Sequence, residues 1–379
     1  MIKNILVVDN IAQNVKSQKF DELFRRFPCG PYTAMRTFQQ IMLFDLDFHL
    51  QRLYNSLILM QHDNPQINFS EQYADNFSLS EIKKLVLQSA QVGFIEFFKL
   101  NGNIELKDPI NEQLQQLKNL NQEQKVYRND LRVLVLLFVN HDSDSGIDTP
   151  KVVLHISQLT RTLHSQLEDE KEQAQNDPLM KDNPYIIPYG CITEIRMGGN
   201  KRTNAEAKCM EWVERRKETE KYKCEESEEM LIIDEQQDNS ILEGHSSNFF
   251  VVYDDGSVRT AGEGVLQGSI RSLVLQILSE MKVQCIFIAP KLSESELWTH
   301  AFITSTSRLL MPINELRVYN KVDDNKPSIT IKFSPELGQT DGGINQMKYA
   351  QNEQMLGDLN SRVLAKLQQR AVPIFDKQL

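Results

Sequence analysis

Lys208 is the residue whose surroundings in the sequence most favour chemistry by an amine. It lies in AEAKCMEWVERRK, residues 205–217, where Ala207, Cys209 and Trp212 are poorly hydrated neighbours. A lysine amine becomes partly deprotonated, and therefore nucleophilic, when it is buried or lies beside a cationic group. The alternative is a solvated charge at the start of a surface helix, because a row of charged residues follows. These residues alone leave both interpretations open.

A carboxylate and an amide lie close together between two apolar stretches. In ILEGHSSNFFVV, residues 241–252, Glu243 ends one predicted strand and Asn248 begins the next. The pattern permits a carboxylate at a strand edge that points into a cleft. On this segment alone, an exposed hairpin turn is the simpler interpretation, because Glu-Gly is a common pair in loops.

Two later stretches carry groups that bind anions. In VLQGSIR, residues 265–271, Gly268 is predicted to open a helix, and backbone N–H groups at a helix start bind phosphate. FITSTSR, residues 302–308, puts four hydroxyls and an arginine at the end of a predicted strand. Taken alone, simple helix initiation and a polar turn explain these two stretches.

His49 and Arg52 lie three residues apart on one face of a predicted helix, in FHLQRLYNS, residues 48–56. The leucines around them predict that this face is buried. A buried guanidinium needs an anionic partner, for which a bound phosphate and a carboxylate of the chain are both candidates.

The composition limits the kind of protein. The chain has 379 residues, of which 40% are hydrophobic and 25% are charged, as is typical of a soluble globular protein of about two domains. Its net charge of −10 argues against nucleic acid as the main partner. Five cysteines without metal-like spacing predict reduced thiols and no metal site. Without a secretory leader or a membrane-spanning run, we expect a cytoplasmic protein.

The predicted elements alternate between strands and helices. Apolar patterns predict strands at 31–38 and 131–140, and Ser78 with Glu81 forms a capping-box start for a helix. The order of elements indicates a mixed α/β chain.

A change in composition marks the domain boundary. We place a polar, charged linker at residues 159–184, between an N-terminal domain, residues 1–158, and a C-terminal domain, residues 185–379.

Taken in this order, the motifs resemble the class IV aminotransferases. These are the pyridoxal-phosphate (PLP) enzymes of fold type IV, and they include branched-chain and D-amino-acid aminotransferases and aminodeoxychorismate lyase. The resemblance runs from about Gly30 to Leu316, and EGxxxNxF and LxGxxR are its most specific parts. Several stretches look closest to a eukaryotic branch named D-amino-acid-aminotransferase-like. The resemblance implies a smaller N-terminal α/β domain and a larger PLP-binding domain with a mixed, barrel-like sheet.

Two alignments compete for the lysine that would carry PLP. RMGGN, residues 196–200, resembles the KxGGN of branched-chain aminotransferases, but Arg196 stands at the lysine position and an arginine stays protonated. The elements between such a lysine and the hairpin glutamate need roughly 30–35 residues. Glu243 follows Lys208 by 35 residues and Arg196 by 47, so the spacing favours Lys208.

The resemblance implies a role for each residue of the predicted site. Lys208 would form the Schiff base with PLP and shuttle a proton, and Glu243 would keep the pyridine nitrogen protonated. Arg52 would bind the cofactor phosphate. The remaining predicted contacts are the N–H groups of Ser269 and Ile270 and the hydroxyl of Thr306 on the phosphate, with Leu266 against the ring.

Two departures from the family pattern follow from the residues themselves. The usual Gly-Ile-Thr turn is replaced by Gly268, Ser269 and Ile270, which predicts weaker phosphate binding at most. No arginine is favoured as the ligand of the substrate carboxylate. The candidates are Arg36, Arg196 and Arg308.

The resemblance implies an aminotransferase that acts on a small amino acid and a 2-oxo acid, and it suggests a homodimer. An aminodeoxychorismate-lyase-like enzyme is a second interpretation. A third is an inactive family member that serves as a binding or assembly subunit in a larger complex. Substrate identity and stereochemistry stay open.

Overall fold

A computed structural model of the chain describes residues 3–15, 20–38, 42–63, 78–101, 130–142, 147–159, 190–199, 202, 204–333 and 344–374. The chain divides into two compact units. The first unit comprises Met1–Thr160, Ala207–Glu214 and Leu367–Leu379, and the second comprises Arg161–Glu206 and Arg215–Lys366. The predicted linker, residues 159–184, lies outside the described residues from residue 160 onward, and the predicted domain boundary stays a prediction.

The described residues form strands and helices in a mixed order. The strands are β1 Asn4–Val8, β2 Ile11–Val15, β3 Tyr32–Phe38, β4 Met42–Leu43, β5 Leu131–Asp142, β6 Ile147–Gln158, β7 Cys191–Arg196, β8 Ser227–Asp234, β9 Ser240–Gly244, β10 Asn248–Tyr253, β11 Val258–Arg259, β12 Cys285–Ile286, β13 Trp298–Ser305, β14 Leu309–Tyr319, β15 Ile329–Lys332 and β16 Val372–Pro373. The α-helices are α1 Phe20–Phe24, α2 Leu46–Asp63, α3 Leu79–Asn101, α4 Met210–Arg215, α5 Lys217–Glu220, α6 Ser269–Glu280 and α7 Ile344–Gln369. Short 3-10 helices lie at Glu235–Gln237 and Leu292–Leu297.

The first unit is built on a seven-stranded sheet in the order β16-β4-β3-β5-β6-β1-β2. Val133 and Val135 of β5 pack with α2 and α3, whereas Leu134 and Leu136 belong to a second cluster that includes Met210. Strand β5 is therefore buried on both faces, which explains its continuous apolar run. The backbone N–H of Glu81 donates to Oγ of Ser78 at 3.3 Å, so the predicted helix start of α3 is confirmed.

The second unit is built on a nine-stranded sheet, six strands of which close into a barrel in the order β10-β13-β14-β7-β8-β9. Strand β9 pairs back to β10 through Glu243 and Asn248, and this pairing completes the ring. Apolar side chains fill the barrel core, among them Phe249 and Ile303. The predicted mixed α/β fold with a barrel-like sheet is confirmed.

Among the residues that the structure describes, no helix combines the length and the apolar character needed to cross a membrane.

Candidate functional site

The predicted site residues fall into two groups, one in each unit. Lys208 and Arg52 belong to the first unit, and the other five belong to the second. Those five are Glu243, Leu266, Ser269, Ile270 and Thr306.

Lys208 is held through its backbone to the start of β3. Its carbonyl oxygen accepts from the N–H of Tyr32 at 2.9 Å, and its N–H donates to Oγ of Ser56 at 3.0 Å. The side chain is half-buried, and Nζ lies 4.8 Å from the centroid of the Tyr32 ring, within range of a cation–π contact. Helix α4 begins only at Met210. Lys208 is therefore fixed by its backbone hydrogen bonds and lies before the helix, which begins at Met210.

Arg52 lies on α2 with its guanidinium directed at two polar groups. Its Nη2 donates to Oγ1 of Thr33 at 3.0 Å and to Nδ1 of His49 at 3.2 Å. Thr33 and His49 are themselves 2.8 Å apart through these atoms. Burial, with the charges of Arg52 and Lys208, holds the pKa of His49 well below its ordinary value. His49 is therefore neutral, and it orients the guanidinium without cancelling its charge.

Glu243 lies at the end of β9 and is buried, with 2% of its surface exposed. Its Oε1 accepts from Nη1 of Arg202 at 3.2 Å, and its Oε2 accepts from the N–H of Leu266 at 2.9 Å. Asn248 donates from Nδ2 to the carbonyl of Leu266 at 2.7 Å. The exposed turn, which was the simpler interpretation of this segment, is wrong because the strand pairing that closes the barrel carries the carboxylate inward.

Arg202 is a functional candidate that sequence reasoning missed. It precedes Glu243 by 41 residues and lies in a polar stretch with no periodic pattern. Its side chain is buried beside Glu243 and forms an ion pair with it. A separation of this length carries no local signal, so only the folded chain reveals the pair.

The start of α6 gathers the predicted phosphate contacts. Oγ of Ser269 lies 3.3 Å from Oγ1 of Thr306, which follows the end of β13. Gly268 precedes the helix and, because it has no side chain, does not itself cap the N–H groups of the first turn. A Cβ at Gly268 would lie 2.3 Å from Oδ1 of Asn248, so this position requires glycine. Ile270 is buried in the same turn.

Each of the three arginines considered for a substrate carboxylate forms an ion pair within its own unit. Their distances are 3.1 Å for Arg36–Asp130, 3.4 Å for Arg196–Glu194 and 2.9 Å for Arg308–Glu229. Arg196 also stacks on the Tyr319 ring at 4.0 Å and donates to the carbonyls of Val322 and Asp324. Arg196 thus joins the end of β7 to the loop after β14.

Comparison with known proteins gives a family and a fold. The family model described as amino-transferase class IV matches residues 100–316. No curated protein sequence gives a match. A branched-chain aminotransferase from the archaeon Thermoproteus uzoniensis, solved with norvaline, is 14% identical, with a TM-score of 0.52 and coverage of 98% of this chain and 100% of that chain.

Two further solved structures are similar in fold. The branched-chain amino acid aminotransferase from Thermobaculum terrenum, in its PLP form, is 12% identical, with a TM-score of 0.55 and coverage of 98% of both chains. A fold IV transaminase from Curtobacterium pusillum is 14% identical, with a TM-score of 0.50 and coverage of 86% of this chain and 94% of that chain. At such identities the likeness establishes the fold alone.

Proposed function

Because the chain belongs to the class IV aminotransferases, whose family model matches residues 100–316, we propose that it is a PLP-dependent aminotransferase. It moves an amino group between a small amino acid and a 2-oxo acid. The observation that carries the proposal is the buried carboxylate of Glu243, which is fixed through both oxygens in the hairpin that closes the barrel.

The donor set of the chain fits pyridoxal phosphate. The N–H groups of Ser269 and Ile270 and the hydroxyl of Thr306 are hydrogen-bond donors suited to a phosphate at a helix start. Glu243 supplies a buried carboxylate, the kind of acceptor that a protonated ring nitrogen would require. Lys208 supplies the amine that such a cofactor requires.

Pyridoxal phosphate supplies an aldehyde that condenses with amines and a ring that accepts electron density from the substrate. Glu243 would hold the proton on the ring nitrogen. Leu266, whose N–H fixes the carboxylate, would pack its side chain against the ring face.

Lys208 would hold the cofactor through its amine and would move a proton to and from the substrate Cα. The amine must lose its own proton to do so. Arg52 would bind the phosphate through its planar fork, which the neutral His49 orients.

Substrate class is proposed from resemblance. The motifs around Lys208 and Glu243 support a D-amino acid, whereas the solved neighbours are named as branched-chain enzymes. Both classes belong in the first substrate screen. The family resemblance supports a homodimer. The five cysteines are free thiols, which supports a location in a reducing compartment such as the cytoplasm.

The Arg202–Glu243 ion pair favours a second candidate, a family member that does not catalyse. In that case Arg202 holds the carboxylate in place of a ring nitrogen. Replacing Arg202 by methionine would then create binding of pyridoxal phosphate that the wild-type protein lacks.

The visible absorption spectrum with pyridoxal phosphate tests the proposal, followed by borohydride reduction and peptide mass spectrometry. We expect the reduced cofactor on the peptide that contains Lys208, and no labelled peptide in Lys208→Ala. Lys221→Ala, which removes an exposed lysine from the same stretch of chain, is the matched control and should be labelled like the wild type. If the wild-type protein shows neither the absorption band nor the label, the proposal that it is a PLP-dependent enzyme is wrong.

A further inference from the structure

The loop that joins Glu243 to Asn248 is hydrogen-bonded to an ion pair between Glu229, which is buried, and Arg308, whose side chain is 16% exposed. We propose that Glu229 and Arg308 are a positioning pair, which fixes this loop and thereby aims the Glu243 carboxylate at the cofactor ring nitrogen. The inference rests on the proposed function and assigns a task to two residues that do not themselves touch the cofactor.

Glu229 on β8 accepts hydrogen bonds from three groups of the loop. Its Oε2 accepts from Oγ of Ser246 at 2.6 Å, from Oγ of Ser247 at 2.9 Å and from the N–H of Ser246 at 3.3 Å. Its Oε1 accepts from the N–H of Met230 at 3.2 Å. The carboxylate is thus tied to two successive loop residues.

Arg308, beyond the end of β13, completes the arrangement. Its Nη1 donates to Oε2 of Glu229 at 2.9 Å and to Oγ of Ser246 at 3.1 Å, while Nη2 donates to the carbonyl of Glu228 at 3.0 Å. Burial opposes ionisation of Glu229, but the charge of Arg308 and the serine hydroxyls outweigh it and lower the pKa of this carboxyl. The pair therefore stays charged, and charged groups make the stronger hydrogen bonds.

Gly244, which directly follows Glu243 in the chain, connects Glu229 to Glu243. The N–H of Gly244 donates to the carbonyl of Ser247 at 2.7 Å, which makes the turn tight. A Cβ at Gly244 would lie 2.3 Å from Oγ of Ser247 and 2.8 Å from Cγ of Glu229. The Glu229 side chain thus packs on the residue that directly follows Glu243, so Glu243 cannot reorient unless this packing is broken. Groups held rigidly before the reaction contribute most to catalysis.

A purely stabilising role is the competing explanation, and the barrel offers a matched control for it. Glu194 and Arg196 form a second buried ion pair, with side-chain exposures of 0% and 3%. Their other hydrogen bonds join Cys224 and the carbonyls of Val322 and Asp324. Glu194→Gln therefore disturbs an ion pair that does not belong to the hairpin and is buried more deeply than Glu229–Arg308, whose side chains are 4% and 16% exposed.

The experiment compares dissociation constants for pyridoxal phosphate and for its 1-deaza analogue, in which the ring nitrogen is replaced by C–H. The ratio of the two constants reports the contact between Glu243 and the ring nitrogen. For wild type we expect a preference for pyridoxal phosphate of about tenfold or more, the range of a hydrogen bond between charged groups. Glu243→Gln should bring the ratio close to one. Glu229→Gln should lower it in the same direction, and Glu194→Gln should leave it at the wild-type value.

Two further variants guard against misfolding, because Glu229→Gln leaves a buried charge on Arg308. Glu229→Gln combined with Arg308→Met removes both charges, which proteins tolerate better than the loss of one. Ser246→Ala combined with Ser247→Ala keeps the ion pair and removes its links to the loop. Both should lower the ratio. In a double variant with Glu243→Gln, loss of Glu229 should cause no additional change, because the two residues act in series.

The outcomes separate this inference from the proposed function. Variants of Glu229 that bind pyridoxal phosphate weakly but keep the wild-type ratio show that the pair only stabilises the fold, and they overturn the inference alone. A wild-type protein that binds both compounds equally, or neither, contradicts the role of Glu243 and the proposed function with it.

Discussion

Arg202 donates from Nη1 to Oε1 of Glu243 at 3.2 Å, and the two side chains are only 6% and 3% exposed. The second oxygen of the same carboxylate accepts from the backbone N–H of Leu266. A buried charge is stable only when it is paired and hydrogen-bonded. The pair therefore lets Glu243 stay ionised inside the second unit, and ionisation is what a partner of a protonated ring nitrogen requires.

Removing the guanidinium of Arg202 should destabilise the protein strongly. In Arg202→Met, Glu243 keeps a buried charge but loses the guanidinium of Arg202, and we expect the free energy of unfolding to fall by about 3–5 kcal/mol. Urea denaturation measures the change. Arg362→Met removes an exposed partner of Asp358, with both side chains 49% exposed, and should cost less than about 1 kcal/mol. If Arg202→Met and Arg362→Met lost equal amounts of free energy of unfolding, the pair at Glu243 would not behave as a buried ion pair.

Replacing Arg52 should weaken binding of the cofactor through its phosphate alone. In Arg52→Gln, we expect the dissociation constant of pyridoxal phosphate to rise about tenfold or more, since a charge-assisted contact is lost. Pyridoxal, which lacks the phosphate, is the control ligand and should bind wild type and variant equally. Titration calorimetry with both compounds measures the difference. A similar loss for both ligands would mean that Arg52 supports the fold and not the phosphate.

Replacing Gly268 by alanine should lower the free energy of unfolding, whereas replacing Gly357 by alanine should raise it. At Gly268 the new Cβ would lie 2.3 Å from Oδ1 of Asn248, so Gly268→Ala should lower the free energy of unfolding by about 1–3 kcal/mol. Gly357 lies within α7 and has open space around it, so Gly357→Ala should raise stability by about 0.5–1 kcal/mol. Denaturation curves of both variants check the prediction, and a neutral Gly268→Ala would contradict the close approach.

His155 should make stability fall as the solution becomes acidic. Burial, with the charge of Arg132, lowers the pKa of His155 from 6.5 to about 4. The unfolded chain binds this proton more readily, so stability is complete above pH 6.5 and is lost as pH falls toward 4, by about 3 kcal/mol. His155→Leu should remove this component of the slope, because leucine does not titrate.

The same variant should be tolerated at neutral pH. Neither ring nitrogen of His155 has a hydrogen-bond partner among the described residues, so leucine leaves no buried group unsatisfied. Denaturation at several pH values measures both effects. An unchanged slope in His155→Leu would mean that other groups cause the acid sensitivity.

Local patterns were sufficient to predict several of the elements. The apolar run from Leu131 predicts β5, the Ser78 cap predicts α3, and the glycine before Ser269 predicts α6. Each of these signals depends on neighbours a few residues apart, and backbone geometry repeats over the same distance. The order of the motifs predicted the family in the same way.

The partners of the site residues were decided only by tertiary structure. Glu243 meets Arg202 across 41 residues, and Glu229 meets Arg308 across 79. Contacts at such separations depend on how strands pair, and no periodicity in the chain encodes them. The sequence by itself determined which residue types could serve a cofactor and the elements that carry them. Folding decided that Glu243 is buried and already paired, because closing the barrel brings β9 against β10.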